Sequence, residues 1–169
     1  LVIRGNNSTP ANVLMSVTAN NCFLADGLNV IWDILDLKMQ TTTSGSCLKA
    51  QNSAALRFGN VVFGSCAAGH IDCRVRGSIG ALSNYSISGG AVIHANASQS
   101  STLNIAGCTV TLSGTPAFSA AFVYCETLSL LTGNSMTFSG SATGPRFYVG
   151  SSGVIFAGGG ASYFPGNAA

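Results

Sequence analysis

An apolar–x–apolar phrase returns seven times along this chain of 169 residues. The copies are Val13-Leu14-Met15, Leu37-Lys38-Met39, Val61-Val62-Phe63, Tyr85-Ser86-Ile87, Val110-Thr111-Leu112, Met136-Thr137-Phe138 and Ala161-Ser162-Tyr163. Their first residues stand 24, 24, 24, 25, 26 and 25 positions apart. Asn12, Asp36, Asn60 and Asn84 precede the first four copies, and Ser-Gly pairs follow several later ones. A steady period between about 20 and 50 residues marks a solenoid or array, in which one unit cannot bury its apolar face until the next stacks on it.

Each phrase has the two-residue period of a strand with one buried face. The unit has room for more than one strand. Second segments begin at Cys22, Cys47, Cys73, Phe122 and Phe147, and third segments at Leu28, Leu103, Leu128 and Val154. Three short strands per unit, joined by Gly, Ser and Asn corners, predict an all-β parallel β-helix of about seven rungs of 24–26 residues, one domain over residues 1–169. Stacking then builds an inward column of Met15, Met39, Phe63, Ile87, Leu112, Phe138 and Tyr163, and a corner ladder of Asn12, Asp36, Asn60 and Asn84. Asn and Asp suit such corners because they tolerate left-handed backbone. At about 4.8 Å per rung the rod is roughly 30 to 35 Å long. A β-sandwich also accommodates short strands and frequent turns, but it gives no reason for the phrase to recur at one period.

Cys22, Cys47 and Cys73 lie 25 and 26 residues apart and each opens a second strand, which predicts a stacked column of buried free thiols. Disulfides are the minority reading and would involve Cys66, Cys108 or Cys125. Cys66, His70 and Cys73 come nearest to metal-ligand spacing, without a CxxC pair to support them; no metal or other cofactor is expected.

Only 7% of the residues are charged, with a net charge of +2. That charge is too weak and scattered for a nucleic-acid partner. The apolar residues alternate and never run for the 18 or more positions that a membrane-inserted helix needs. Glycoside cleavage requires two facing carboxylates. The acidic residues are Asp26, Asp33, Asp36, Asp72 and Glu126, of which Asp26 and Asp33 make the best pair across a turn. Corner carboxylates are more often structural, Trp32 is more often packing than a sugar platform, and no G-x-S-x-G elbow occurs. The expectation is a protein that is not an enzyme. The middle residues Leu14, Lys38, Val62, Ser86, Thr111, Thr137 and Ser162 include one charge, so the outward face calls for cover by further copies of the chain. The chain reads as a fragment of a longer or processed one.

The stacked phrases with Ser-Gly after the strand, and the closing Ser162-Tyr163-Phe164-Pro165-Gly166-Asn167-Ala168-Ala169, resemble β-helical virion proteins of bacteriophages and prophages: tail fibre, tailspike and surface-decoration proteins. The resemblance covers most of the chain as repeat style. It implies a right-handed, homotrimeric parallel β-helix on the virion surface, with other virion proteins and host surface polysaccharide as partners. On that resemblance the expected function is a structural tail fibre or spike protein for host attachment. A capsid decoration protein, a polysaccharide-degrading tailspike and a secreted bacterial adhesin are the alternatives. No catalytic residue carries over, because no pair here matches the carboxylate clefts of the degrading tailspikes.

Overall fold

The computed structural model describes residues 1–168; Ala169, the last residue of the closing phrase, lies outside the described residues. The chain is a parallel β-solenoid of about six turns, with no α-helix among the described residues and a single 3-10 turn at Pro10–Asn12. Its strands, β1 to β19 in chain order, fall into three sheets that run the length of the rod. The first sheet holds β1 (Val2–Arg4), β4 (Ile31–Leu35), β7 (Ala55–Gly59), β10 (Ser78–Ala81), β13 (Thr102–Asn104), β16 (Leu130–Gly133) and β19 (Val154–Ala157). The second holds β2 (Leu14–Ala19), β5 (Lys38–Ser44), β8 (Val62–Phe63), β11 (Tyr85–Ile87), β14 (Thr109–Leu112) and β17 (Thr137–Ser139). The third holds β3 (Phe23–Asp26), β6 (Leu48–Gln51), β9 (Gly69–Cys73), β12 (Ala91–Ala97), β15 (Phe118–Cys125) and β18 (Phe147–Val149).

Strand pairing fixes which side chains stack. Met15, Met39, Phe63, Ile87 and Leu112 form one column of the second sheet. Met39, Phe63 and Ile87 are fully buried, whereas Met15, in the first turn, is 37% exposed because no rung covers it on one side. The column then departs from the expected one. Phe138 pairs with Val110, not with Leu112. Eight positions separate Ile87 from Ala95, but eleven separate Leu112 from Val123, the partner of Ala95. The turn after β14 is longer and β15 carries an irregularity opposite Ala91–Ile93. Those extra residues slide the later rungs past the nominal period. The outward column accordingly runs Leu14, Lys38, Val62, Ser86, Thr111 and Ser139, while Thr137 stacks on Thr109.

Tyr163 is also displaced. Its phrase forms turns, not a strand, and the segment folds across the end of the rod. The Tyr163 hydroxyl accepts the Met136 N–H at 2.6 Å, and its ring packs on Phe138 and Phe164. Phe164 is buried over Gly133, where an added Cβ would come within 3.1 Å of its ring. The third segments expected at Leu28 and Leu128 are corners; both strands start later, at Ile31 and Leu130. The corner ladder is shorter than expected as well. Asp36 and Asn60 adopt left-handed backbone (φ 62° and 49°), and Asn60 Nδ2 donates to Asp36 Oδ1 at 2.8 Å. Asn84 instead accepts the Thr109 N–H through its side chain, and Asn12 lies exposed in the 3-10 turn.

The cysteine column requires the largest correction. Cys22 and Cys47 are neighbours on adjacent rungs, since Phe23 pairs with Leu48. Leu48 pairs with Ile71, so the residue stacked next to Cys47 is His70; Cys73 belongs to the column of Ala50, Ala97 and Cys125. That rung spans 23 positions, not the 26 from Cys47 to Cys73. Moreover, Cys47 is bonded to Cys66, 19 residues on, which the β8–β9 corner brings beside it. Cys22, Cys73, Cys108 and Cys125 are free. Burial pushes the Cys22 thiol up to about 11 and the Cys73 thiol up to about 12, which makes both poor nucleophiles. Mass spectrometry of the native protein is expected to show one disulfide, with the thiols of Cys73, Cys108 and Cys125 alkylated fully only after denaturation. Replacing Cys47 and Cys66 by Ala removes a closed loop of about 20 residues and is expected to cost about 3 kcal/mol in denaturant unfolding.

Candidate functional site

Polar side chains in this protein find their partners one rung away. Arg57 grips Asp33 through Nε and Nη2 at 2.7 and 2.9 Å, 24 residues apart. Gln51 and Asn52 donate to the two oxygens of Asp26, at 2.9 and 2.6 Å. These bonds hold the Asp26 carboxyl below its ordinary range, the Gln51 bond contributing most. Asn96 donates to Asp72 Oδ1 at 2.7 Å, again 24 residues apart. The Tyr124 and Tyr148 rings stack at 4.4 Å between centroids. The cause is parallel in-register pairing, which sets equivalent residues side by side along the axis.

All five acidic residues are engaged in this way or locally. Asp36 binds Asn60 and lies 3.2 Å from Arg4 Nε, and Glu126 accepts from the Tyr124 hydroxyl at 3.1 Å. Asp26 and Asp33 therefore do not form a facing acid–base pair; each is committed to its own next-rung partner. Trp32 is half-buried and packs against the core beside Leu56.

The third sheet carries the most chemically varied surface. Asp72, largely buried, accepts from Arg74 Nε at 2.6 Å as well as from Asn96, and Lys49 Nζ approaches its second oxygen at 3.8 Å. Beside this cluster a cavity of about 210 Å³ opens between Ala67, Ala68, Val92 and Ile93, with Ser46, Asp72, Arg74 and Asn96 at its polar side. It exists because Gly69 stands in a column between Ser46 and Ile93, so one side chain is missing from the row.

A second polar feature is buried. His70 and His94 stack 24 residues apart, with their Nδ1 atoms 3.1 Å from each other. His70 Nε2 lies 2.9 Å from the Gly64 carbonyl and His94 Nε2 lies 3.0 Å from the Tyr85 hydroxyl. A carbonyl only accepts, so His70 carries its proton on Nε2 and accepts on Nδ1; His94 then donates from Nδ1 and accepts the Tyr85 O–H on Nε2. The chain of bonds is complete with both rings neutral. Burial drives the His70 imidazole down to about 4 and that of His94 well below its ordinary value. Phe63, Phe118 and Phe122 pack around them.

Cys66, His70 and Cys73, the residues nearest to metal-ligand spacing, are engaged separately. Cys66 is in the disulfide, His70 bonds His94, and the Cys73 thiol donates to the Thr102 carbonyl at 3.4 Å. The histidine pair escaped the sequence reading although its signal was present: the two residues stand at the same 24-residue spacing as Met39 and Phe63. The Gly69 cavity gave no such signal, because its lining comes from three different rungs. Comparison with protein-family models, with curated proteins and with solved structures finds no match.

Proposed function

We propose that this chain is a non-enzymatic structural protein of a bacteriophage virion, part of a tail fibre or spike that attaches the particle to the host surface. The observation that carries the reading is the outer face of the second sheet. Leu14, Lys38, Val62, Ser86, Thr111 and Ser139 form a nearly uncharged strip along the rod. A flat strip of this kind invites lateral pairing with copies of itself, and a shaft of three parallel solenoids covers it. The commitment of all five carboxylates to structural partners supports a role without hydrolysis. The Cys47–Cys66 bond supports a protein that works outside the reducing cytosol. We read the solenoid as right-handed, the sense of nearly all parallel crossovers, and as seven-runged when the closing segment 158–168 counts as an irregular last coil.

Two measurements test this. Sedimentation equilibrium should return three times the 17.1 kDa chain mass, and Val62→Glu should shift the protein to monomer; a wild-type monomer overturns the trimeric shaft. Fluorescently labelled protein should bind bacterial cells from a strain panel without releasing new reducing or unsaturated ends from their polysaccharides. Release of such ends would overturn the non-enzymatic reading in favour of a degrading spike.

A further inference from the structure

The cavity over Gly69 is small, asymmetric and charged. At about 210 Å³ it falls below the roughly 300 Å³ at which pockets for drug-sized ligands begin, so it suits one ring-sized unit, not a chain of them. One side is apolar: Ala67, Ala68, Val92 and Ile93. The other carries Arg74 and Asp72. Lys49, outside the lining, approaches the second Asp72 oxygen at 3.8 Å, so Asp72 is shared between two cations and the Arg74 guanidinium is not fully neutralised by it. Arg74 spends Nε on Asp72. Its terminal nitrogens make no hydrogen bond among the described residues, and its side chain is 47% exposed. A guanidinium anchored through one edge presents its other donors in a fork that matches a carboxylate. Asn96 and Ser46 add neutral hydrogen-bonding groups at the same side.

We infer that this cavity binds a single sugar acid carrying a short acyl group, as a terminal or branch residue of a surface polysaccharide: the carboxylate sits on Arg74, and the acyl methyl lies against Ala68, Val92 and Ile93. The choice of a sugar rests on the attachment role proposed above. The requirement for an anion with a small apolar arm rests on the cavity alone. Gly69 is the enabling residue, since any side chain there would occupy the space between Ser46 and Ile93.

Four soluble probes separate the components in an NMR titration of the ¹⁵N-labelled protein: N-acetylneuraminic acid, glucuronic acid, N-acetylglucosamine and acetate. The first should shift the amides of Ala68, Val92 and Arg74 with the highest affinity. Removing either the acyl group or the carboxylate should weaken binding about tenfold, the effect of one lost charge-assisted hydrogen bond or of a small apolar group. Arg74→Ala should cost about tenfold as well. Because that variant also releases Asp72, Ala68→Phe is the second: it fills the cavity and leaves the ion pairs in place. Equal response to N-acetylglucosamine and N-acetylneuraminic acid, shifts confined to another face, or no shifts at all would overturn the assignment. Cell binding that persists in both variants overturns the cavity as receptor site while the attachment role stands. Sugar binding without cell binding does the reverse.

Discussion

Phe63→Asp is expected to yield no folded protein, and Met39→Asp the same, whereas Met15→Asp should fold and melt near the wild type. The three residues occupy one column, so chemistry and direction are matched and only depth differs. Phe63 has no exposed surface and is ringed by Phe58, Tyr85, His70 and His94. Truncating a buried Phe costs about 3–5 kcal/mol, and a carboxylate placed there without a partner adds several more. Domains of this kind are held by about 5–15 kcal/mol in total, so the sum exhausts it. The position of the lesion matters too. A solenoid rung touches only its neighbours, and loss of the Phe63 rung divides the rod into two arrays, each with a newly opened end. Met15 already borders solvent, and a charge there keeps its hydration. Circular dichroism and thermal melting of the three purified variants decide the matter; a folded Phe63→Asp protein would refute the assignment of this column to the core.

The contrast between these residues also shows what the sequence could reveal. From Val13 to Ile87 the phrase recurs at a strict 24, and there periodicity and true register coincide. They part company after Leu112, where added residues in one turn and an irregular strand shift Phe138 onto Val110. Insertions at turns cost little free energy, so the chain tolerates them, and nothing in the residue types marks which copy is displaced. Cys47 illustrates a different limit. Its spacing from Cys22 correctly placed the two as neighbours, but the disulfide to Cys66 depends on how tightly one corner bends. The acidic residues were judged by their separation along the chain, whereas their partners are one rung away, at Arg57, Asn60 and Asn96. The 24-residue shift that identified the core columns identifies these bonds as well, and also the His70–His94 pair. The closing segment defeated the phrase altogether. Ala161-Ser162-Tyr163 has the strand pattern, yet at the end of a rod there is no next rung to pair with, and its aromatic residues serve better folded over Phe138 and Gly133.

Acidification from pH 6.5 to pH 4 is expected to destabilise the protein by about 3 kcal/mol through His70 alone, with His94 adding to the loss. In the unfolded chain both imidazoles take up protons near pH 6.5. In the folded chain His70 does so only near 4 and His94 only well below its ordinary value, because burial disfavours the imidazolium. The unfolded state therefore binds more protons throughout this interval, and stability must fall as the pH falls. Above about pH 7.5 both states are neutral and the contribution is flat. Below about 4 the His70 contribution levels off. For a chain of this length 3 kcal/mol corresponds to a drop of roughly 6–12 °C in melting temperature. The bonding pattern demands this behaviour independently of burial. Gly64 accepts from His70, which must then accept from His94, which must then accept from Tyr85; a proton added to His70 goes on Nδ1 and leaves two N–H groups facing each other across 3.1 Å, and one added to His94 goes on Nε2 and displaces the Tyr85 O–H donor. The carboxylate contribution is separated by replacing both histidines with Phe, the residue that follows them in the column at Phe122. That double variant should lose the histidine-driven fall between pH 6.5 and pH 5 and keep only the carboxylate-driven fall toward pH 4, whatever its absolute stability. Long-range ¹H–¹⁵N spectra at pH 5.5 should show neutral rings, protonated on Nε2 in His70 and on Nδ1 in His94. An imidazolium signal from either residue at that pH, or a melting temperature unchanged from pH 6.5 to pH 4, would refute the buried neutral pair.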